Sequence, residues 1–382
     1  MAITGADNKM DYFRYYPNVV LQLLAIAGFM LGGQWVWLGF STFFLLIIAD
    51  ALSPQDYAAR NMSNPLLADL VLYLQGLLML AIYVAFGWRL HLGFDSSVNL
   101  PVAYLGCLFT LIWMALVPNV GSAHELWHRH NWLGKWLGRA AFAAAGFPNR
   151  DLSHVQTHHR YFDTDRDYDT GQRGQSVYEF LIRGVIGNTQ DEIALEKGRL
   201  TRYGTGFWTW RNSFIRGWIG AALFPVLIYL GAGFTGAVIT VVAMVAARLI
   251  GEAINCLQHF GLVREEGSEI SDRHTWNHLS AVTRIMALEI TNHVHHHQDP
   301  DLPFYKLQPR PDGPQLRNVL LWGIAAFFPP LWARLIQPRL RDWDLNHASD
   351  AERVLAREAN RKAGWPDWLA DESSQSVATG NA

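Results

Sequence analysis

Cysteine is nearly missing from this sequence, with Cys107 and Cys256 the only two in 382 residues. That excludes a disulfide framework, and it excludes an iron–sulfur cluster, which takes about four thiolates. One thiolate would suffice for a haem, so counting leaves that open; the simpler reading is two small buried side chains. Net charge is also nearly absent, at −2 with histidine neutral, and without a basic excess there is no nucleic-acid footprint. The start of the chain has no basic segment followed by a small-residue cleavage site. Asp7, Asp11 and Arg14 precede the first apolar run instead, so no cleavable signal is expected. A nucleotide site is missing as well. Gly231-Ala-Gly233-Phe-Thr-Gly236 matches G-x-G-x-x-G letter for letter, but that motif acts only between a strand and a helix. Here it falls between two apolar runs, where glycines permit a tight turn and close helix approach.

What the chain does have is apolar length. Half of its residues are hydrophobic, and the runs at 17–33, 35–52, 66–88, 100–118, 214–232 and 234–251 each have about the 17 to 25 residues that a bilayer-crossing helix needs. The joins at Gly32-Gly33 and Gly231 to Gly236 are short, which pairs the first two and the last two runs as hairpins. The expected fold is an all-α membrane protein, six transmembrane helices in a single integral-membrane domain over 1–382. Lys and Arg are held back on the cytoplasmic side. The expected outer loops carry Arg89 alone, whereas 119–213 carries Arg129, Lys135, Arg139, Arg150, Arg160, Arg166, Arg173 and Arg183. Segments 119–213 and 252–382, and both chain ends, are therefore placed in the cytoplasm, in an inner membrane. Trp and Tyr crowd the interfaces, among them Tyr12, Tyr15, Tyr16, Trp35, Trp37, Trp88, Trp208, Trp210 and Trp218.

Histidine is the chemistry-bearing residue, and it comes in four groups that each follow an apolar run: His124-Glu-Leu-Trp-His128, His154-Val-Gln-Thr-His158-His159, the single His259, and His293-Val-His-His296-His297. Neutral imidazole is the commonest metal ligand among side chains. His124 and His128, four apart, share a helical face, and His154 and His158 repeat that spacing, with His159 turned about 100° away. His293, His296 and His297 present i, i+3, i+4, converging on one point, and His295 faces elsewhere. One ion takes about four to six ligands, so nine imidazoles (His124, His128, His154, His158, His159, His259, His293, His296, His297) imply two metals. His91, His274 and His347 read as ordinary core or surface residues, and His130, His278 and His295 lean the same way. Acceptors for the free ring N–H groups are sought on the ligands' helical faces. Glu252, seven before His259, and Glu289, four before His293, lead, followed by Asn255. Asn277 and the run Asp163, Asp165, Asp167, Asp169 rank lower because acidic runs are usually solvated.

These boxes, together with Gly32-Gly-Gln-Trp-Val-Trp-Leu-Gly39, PNRDLSHVQTHHRYFDTD from Pro148, QHFGLVR from Gln258, EITNHVHHH from Glu289, PRLRDWD from Pro338 and KAGWPDW from Lys362, resemble the integral-membrane non-haem diiron hydroxylases. That group spans alkane hydroxylases and membrane fatty-acid desaturases, and the pattern is most similar to its xylene and p-cymene monooxygenase branch. The resemblance implies two irons on the nine histidines, dioxygen activation at the cytoplasmic end of a helical bundle, and hydroxylation of an alkylarene methyl group to the alcohol. It also implies a separate NADH-dependent flavin and iron–sulfur reductase, since this chain has no site for those groups. Alkane hydroxylases carry an acidic residue and a tyrosine around the lone histidine, where this chain has Gln258 and Phe260, and their second box differs from Val155-Gln156-Thr157. Those departures favour the aryl-methyl branch over terminal alkane hydroxylation; a lipid desaturase is the other relative. Two readings come from other classes. His124-Glu125-x-x-His128 satisfies the H-E-x-x-H of zinc proteases, with Glu125 as base, but leaves six of the other histidines idle. A metal transporter would bind near the bilayer midplane, not past the span ends. An apolar substrate would arrive laterally from the lipid, and Phe109, Trp113 and Leu116, on one face of the fourth run, are the candidate pocket wall.

Overall fold

In the computed structural model, which describes residues 8–370, helices joined by loops make up the chain, and among the described residues there is no strand, only two isolated β-bridges. Local sequence explains where the helices start. Asn64 and Asn99 sit just outside Pro65–Leu92 and Leu100–Leu116, and each accepts backbone N–H bonds of the first turn with its side chain, with a proline in that turn. Ser176 and Glu179 make a reciprocal capping box that opens Val177–Arg202.

Among the described residues four helices are long and apolar enough to cross a membrane: Gly33–Leu52, Pro65–Leu92, Leu100–Trp127 and Ser213–His259. The expected count of six differs for two physical reasons. The run 17–33 forms Tyr16–Leu31, and its 16 residues reach about 24 Å at 1.5 Å per residue, short of the roughly 30 Å hydrocarbon core. The runs 214–232 and 234–251 form one 47-residue element, Ser213–His259, broken at Gly233, where φ is 79° and ψ −174°. A Cβ placed on Gly236 would lie 2.8 Å from Ile228 Cγ2. Residues eight apart on a straight helix are about 12 Å apart, so the chain doubles back at Gly233. The glycine-rich segment is thus a turn between helices, and the helices Tyr16–Leu31 and Leu38–Leu52 are joined by a second tight turn, Gly33–Trp37. There Arg89 donates to the Phe29, Met30 and Gly93 carbonyl oxygens, satisfying helix-end acceptors. Any side chain on Gly32, at φ 71°, would strike that guanidinium.

The largest apolar core lies among these helices, built on Phe29, Phe86, Cys107, Leu111, Met114 and Ala247. Their outer faces expose Phe44, Leu45, Ile48, Val84, Leu227, Leu230 and Phe234, which a lipid surround would cover. Both cysteines are buried and unpaired.

A second core, with Phe260, Trp276, Trp332, Ile336 and Trp343, fastens the C-terminal helices Pro329–Asn346 and Asp350–Ala363 beneath His259. At its centre, and buried, is Arg173, one of the basic residues counted in segment 119–213. It binds Asp344 through two short bonds of 2.7 and 2.6 Å, Asn360 Oδ1 at 2.8 Å and the Gly261 carbonyl at 2.8 Å. A guanidinium fork matches a carboxylate's two oxygens, and a buried charge needs such pairing. Asp344→Ala would leave the guanidinium unpaired, and we expect a loss of about 3 to 5 kcal/mol, read as a lower thermal midpoint in detergent. An unchanged midpoint would mean the C-terminal helices are held by apolar packing alone.

Candidate metal centre

Each histidine group is delivered by a different local structure. His124 lies on Asn119–Trp127 with His128 as its C-cap, His259 ends the broken helix, and His293–Gln298 carries the last three. The second box forms a π-helical turn, His154–His158, between Arg150–Ser153 and His159–Tyr161. All nine rings come together. They form two groups, His124, His128, His154, His159 and His296 in one, His158, His259, His293 and His297 in the other, with the ligand nitrogens of each group within 4.8 Å of one another. The groups abut, the His159 and His297 ring centroids being 4.6 Å apart.

The partition differs from what helical spacing implied. A π-turn closes i to i+5, so His154 meets His159, Nε2 to Nε2 at 3.1 Å, and His158 is sent to the other group. The last box also splits: His293 and His297, four apart, stay together with Nε2 atoms at 3.1 Å, while His296 faces the first group. His124 and His128, like His293 and His297, share a group as their four-residue spacing implied, whereas His154 and His158 meet only in a smaller set with Asp169.

The ring nitrogens face inward without donors. His124 and His154 approach Nε2 to Nε2 at 2.8 Å, and His259 and His293 at 3.0 Å, while Nε2 of His128, His158 and His296 is buried with no partner. Burial, reinforced by the neighbouring rings, pushes His154, His159, His296 and His297 well below the usual histidine range, and burial does the same for His293. Neutral imidazoles with converging lone pairs fit a cation, and this donor set suits borderline transition metals. The arrangement is suited to metal binding.

The orienting acceptors are not the leading candidates. Glu252 is fully buried, has no hydrogen bond, and lies 4.0 Å from Arg150. Glu289 accepts from Tyr15, Arg60, Arg284 and Asn292, tying the N-terminal segment to the last box, while His293 donates Nδ1–H to the Ile290 carbonyl at 3.3 Å. Asn255 leaves its amide nitrogen unpaired, and Asn277 accepts from Val294 N–H. Two members of the acidic run serve instead. His158 donates Nδ1–H to Asp167 Oδ2 at 2.9 Å, and His259 donates Nδ1–H to Asp163 Oδ1 at 3.0 Å. Burial works against charge on His158, but the Asp167 carboxylate overcomes it and raises the ring, and although burial opposes this as well, Asp167 is held down at about 2. The run looked solvated because its charges are adjacent in sequence. Asp163, Asp167 and Asp169 are in fact buried and Asp165 exposed; the four-residue step from Asp163 to Asp167 was the signal available. Asp169 binds Arg150 and Asn188.

The remaining candidates have other work. Glu125 accepts from Phe304 N–H at 2.9 Å and pairs with Arg129 at 3.1 Å, so its carboxylate is engaged away from a protease base's position. His274 pairs with Glu352 at 2.6 Å, His278 donates to the Leu316 carbonyl, His295 accepts from Gln308 N–H, and His91 donates to the Gly231 carbonyl. His130 is exposed, and His347 is half-buried on the C-terminal helices. Trp113 donates to Thr42 Oγ1 at 2.9 Å and packs on Phe43, Phe109 packs against Trp37 and Phe40, and Leu116 lies near Gly251. A cavity of about 960 Å³ runs elsewhere, along Pro65–Leu92 and the first half of the broken helix, past Tyr83, Val84, Phe224 and Leu227, and none of the three residues lines it.

Two abutting groups of buried imidazoles, with the first box and His259 at the ends of membrane-length helices, mark a histidine-rich membrane protein built to hold metal. Residues 99–311 match the fatty acid desaturase family, and the chain is 40% identical over 365 residues to the xylene/toluene monooxygenase hydroxylase component XylM of Pseudomonas putida, covering 95% of this chain and 98% of that one. It is 30% identical over 233 residues to an alkane 1-monooxygenase of Acinetobacter baylyi, covering 58% of this chain and 56% of that one, and 26% identical over 351 residues to alkane 1-monooxygenase 2 of Alcanivorax borkumensis, covering 87% and 91%. The chain belongs to the fatty acid desaturase family, in the superfamily that includes the alkane hydroxylases, and is an oxidoreductase of the monooxygenase kind.

Burial keeps His154, His159, His293, His296 and His297 from taking up the proton that an unfolded histidine binds near pH 6.5, so below that pH the unfolded state binds more protons at these five, against the opposite contribution of His158, which Asp167 raises. Stability therefore falls on acidification. The thermal midpoint should drop by several degrees from pH 7 to pH 5. A flat profile would contradict neutral, buried rings.

Proposed function

We propose that this chain hydroxylates the methyl group of an alkylarene of the toluene, xylene or p-cymene type at a diiron centre held by His124, His128, His154, His158, His159, His259, His293, His296 and His297. The observation that carries this reading is the convergence of nine buried imidazoles as five and four in a chain so similar, over nearly its full length, to a xylene/toluene monooxygenase component. We further propose six crossings of an inner membrane by a single domain, with the histidine boxes on the cytoplasmic face. The break at Gly233, where Ser213–His259 doubles back, supports a fifth and a sixth crossing; the first crossing rests on the apolar run 17–33 alone. The cytoplasmic placement of the chain ends concerns residues 1–7 and 371–382, outside the described residues.

Iron bound there would supply dioxygen activation and the means of removing hydrogen from a C–H bond. The balance is one methyl group, one dioxygen, two electrons and two protons in, one alcohol and one water out. The chain's part is to hold neutral ring nitrogens inward, to fix the Nδ1 protons of His158 and His259 with Asp167 and Asp163, and to keep water away. Phe162, fully buried with its ring 4.1 Å from that of His297, serves the last purpose. The electrons come from a separate NADH-dependent flavin and iron–sulfur reductase. Arg160 and Arg166 are exposed, although Arg166 is already engaged with Glu266 at 2.5 Å.

Purified protein should carry about two irons per chain. His259→Ala or His297→Ala should lower that content and abolish turnover, and His347→Ala should do neither. One zinc per chain, with activity indifferent to iron chelators, would refute the assignment. Under labelled dioxygen one labelled atom should reach the alcohol; an olefin product would identify a desaturase instead, and preferential turnover of medium alkanes a terminal alkane hydroxylase.

We also propose that Phe109, Trp113 and Leu116 wall the substrate's lateral path. Trp113→Ala should change the ratio of products from toluene, xylenes, p-cymene and medium alkanes, leaving iron content intact. Unchanged ratios would place the path elsewhere, with the cavity past Tyr83 and Phe224 next to be tested.

A further inference from the structure

The two imidazole groups are backed differently. In the group of four, His158 and His259 each donate their outward Nδ1–H to a buried carboxylate, at 2.9 and 3.0 Å. In the group of five, no described carboxylate accepts from a ring, and Nδ1 of His124, His159 and His296 is buried without a partner. His128, in the same group, is the one histidine of the nine that is only partly buried.

The carboxylates are themselves held in place. Asp163 N–H donates to Thr170 Oγ1 at 2.7 Å, and the Thr170 hydroxyl donates to Asp167 Oδ2 at 2.7 Å, so one hydroxyl ties the two together. Asp163 adopts a left-handed backbone conformation, φ 61°, and its carbonyl accepts from Arg264 N–H at 2.8 Å. A non-glycine residue at positive φ costs conformational energy and persists only where its surroundings hold it there. Here the result is a carboxylate aimed at His259.

We propose that Asp163 and Asp167 are positioning residues that make the two metal positions unequal: the four-imidazole position holds its metal more tightly, and the five-imidazole position is the labile, more accessible one. A carboxylate on the far N–H of a ligating histidine fixes its tautomer and orientation and raises its basicity. Two of four ligands have that support in one group and none of five in the other. This rests on the two-metal reading.

The test uses full-length protein in detergent, loaded with ⁵⁷Fe, with Asp163→Asn, Asp167→Asn and Thr170→Val as variants and Asp165→Asn, whose side chain is 87% exposed, as control. Iron remaining per chain is followed during exposure to a chelator, and Mössbauer spectra are recorded beforehand. Wild type and control should release iron in two phases of equal size. In the aspartate variants the slow phase should speed up about 10- to 100-fold, and one of two quadrupole doublets should shift while the other stays. Thr170→Val, which removes only the tie between the carboxylates, should shift the same doublet, and it covers the case in which an aspartate variant fails to fold. A single release phase in wild type, acceleration of the fast phase, or equal movement of both doublets would overturn the inference. A wild type that cannot be loaded with two irons would instead overturn the two-metal reading.

Discussion

The centre imposes one constraint that the rest of the chain answers: nine imidazoles in one place must point their lone pairs inward, most of them held neutral by burial. Out of water, charge on a ring is costly, and with so many neighbouring rings each added proton also repels the others. The surroundings follow from this. Phe162 covers the rings of the four-membered group, the Asp163 to Thr170 loop closes over two of them, and the C-terminal helices press the segment after His259 into position through Trp343, Leu340 and the Arg173–Asp344 pair.

Several other buried charged side chains, Glu252 excepted, are gathered into hydrogen-bonded clusters away from the rings. Glu289 is the clearest case. Its two oxygens receive Tyr15, Arg60, Arg284 and Asn292, so it pins the N-terminal segment and the 53–60 loop to the helix turn that precedes the last box. It acts on the ligands through the backbone that carries them. Arg173 does the equivalent on the other side of the centre, through the Gly261 carbonyl two residues after His259.

Helix positions were legible because they are local. Apolar runs of bilayer length, Asn-capped starts and glycine turns each depend on a few adjacent residues, and the structure has helices at every expected run. How many are long enough to cross was less legible, because it depends on where helix ends fall: Tyr16–Leu31 stops short, and Ser213–His259 continues past the membrane-length run to carry its histidine. The identity of the converging histidines was legible too, since four boxes in this order have few other uses.

Which rings share a position was not legible. Spacing of three or four residues assumes an α-helix, and a single π-turn at His154–His158 reassigns the second box, a change no periodicity can announce. The orienting carboxylates escaped for a related reason. Asp163 and Asp167 stand beside Asp165 in sequence, yet two are buried and one is exposed, because a left-handed residue and a threonine hydroxyl fold that loop inward. The sequence by itself determined the helical membrane architecture, the donor set and its neutral chemistry, all of which depend on residue type and local pattern. Tertiary structure decided the partition into five and four, the carboxylates that back one group, and the burial of Arg173, because each of these depends on contacts between segments far apart in the chain, whose geometry local propensity does not encode.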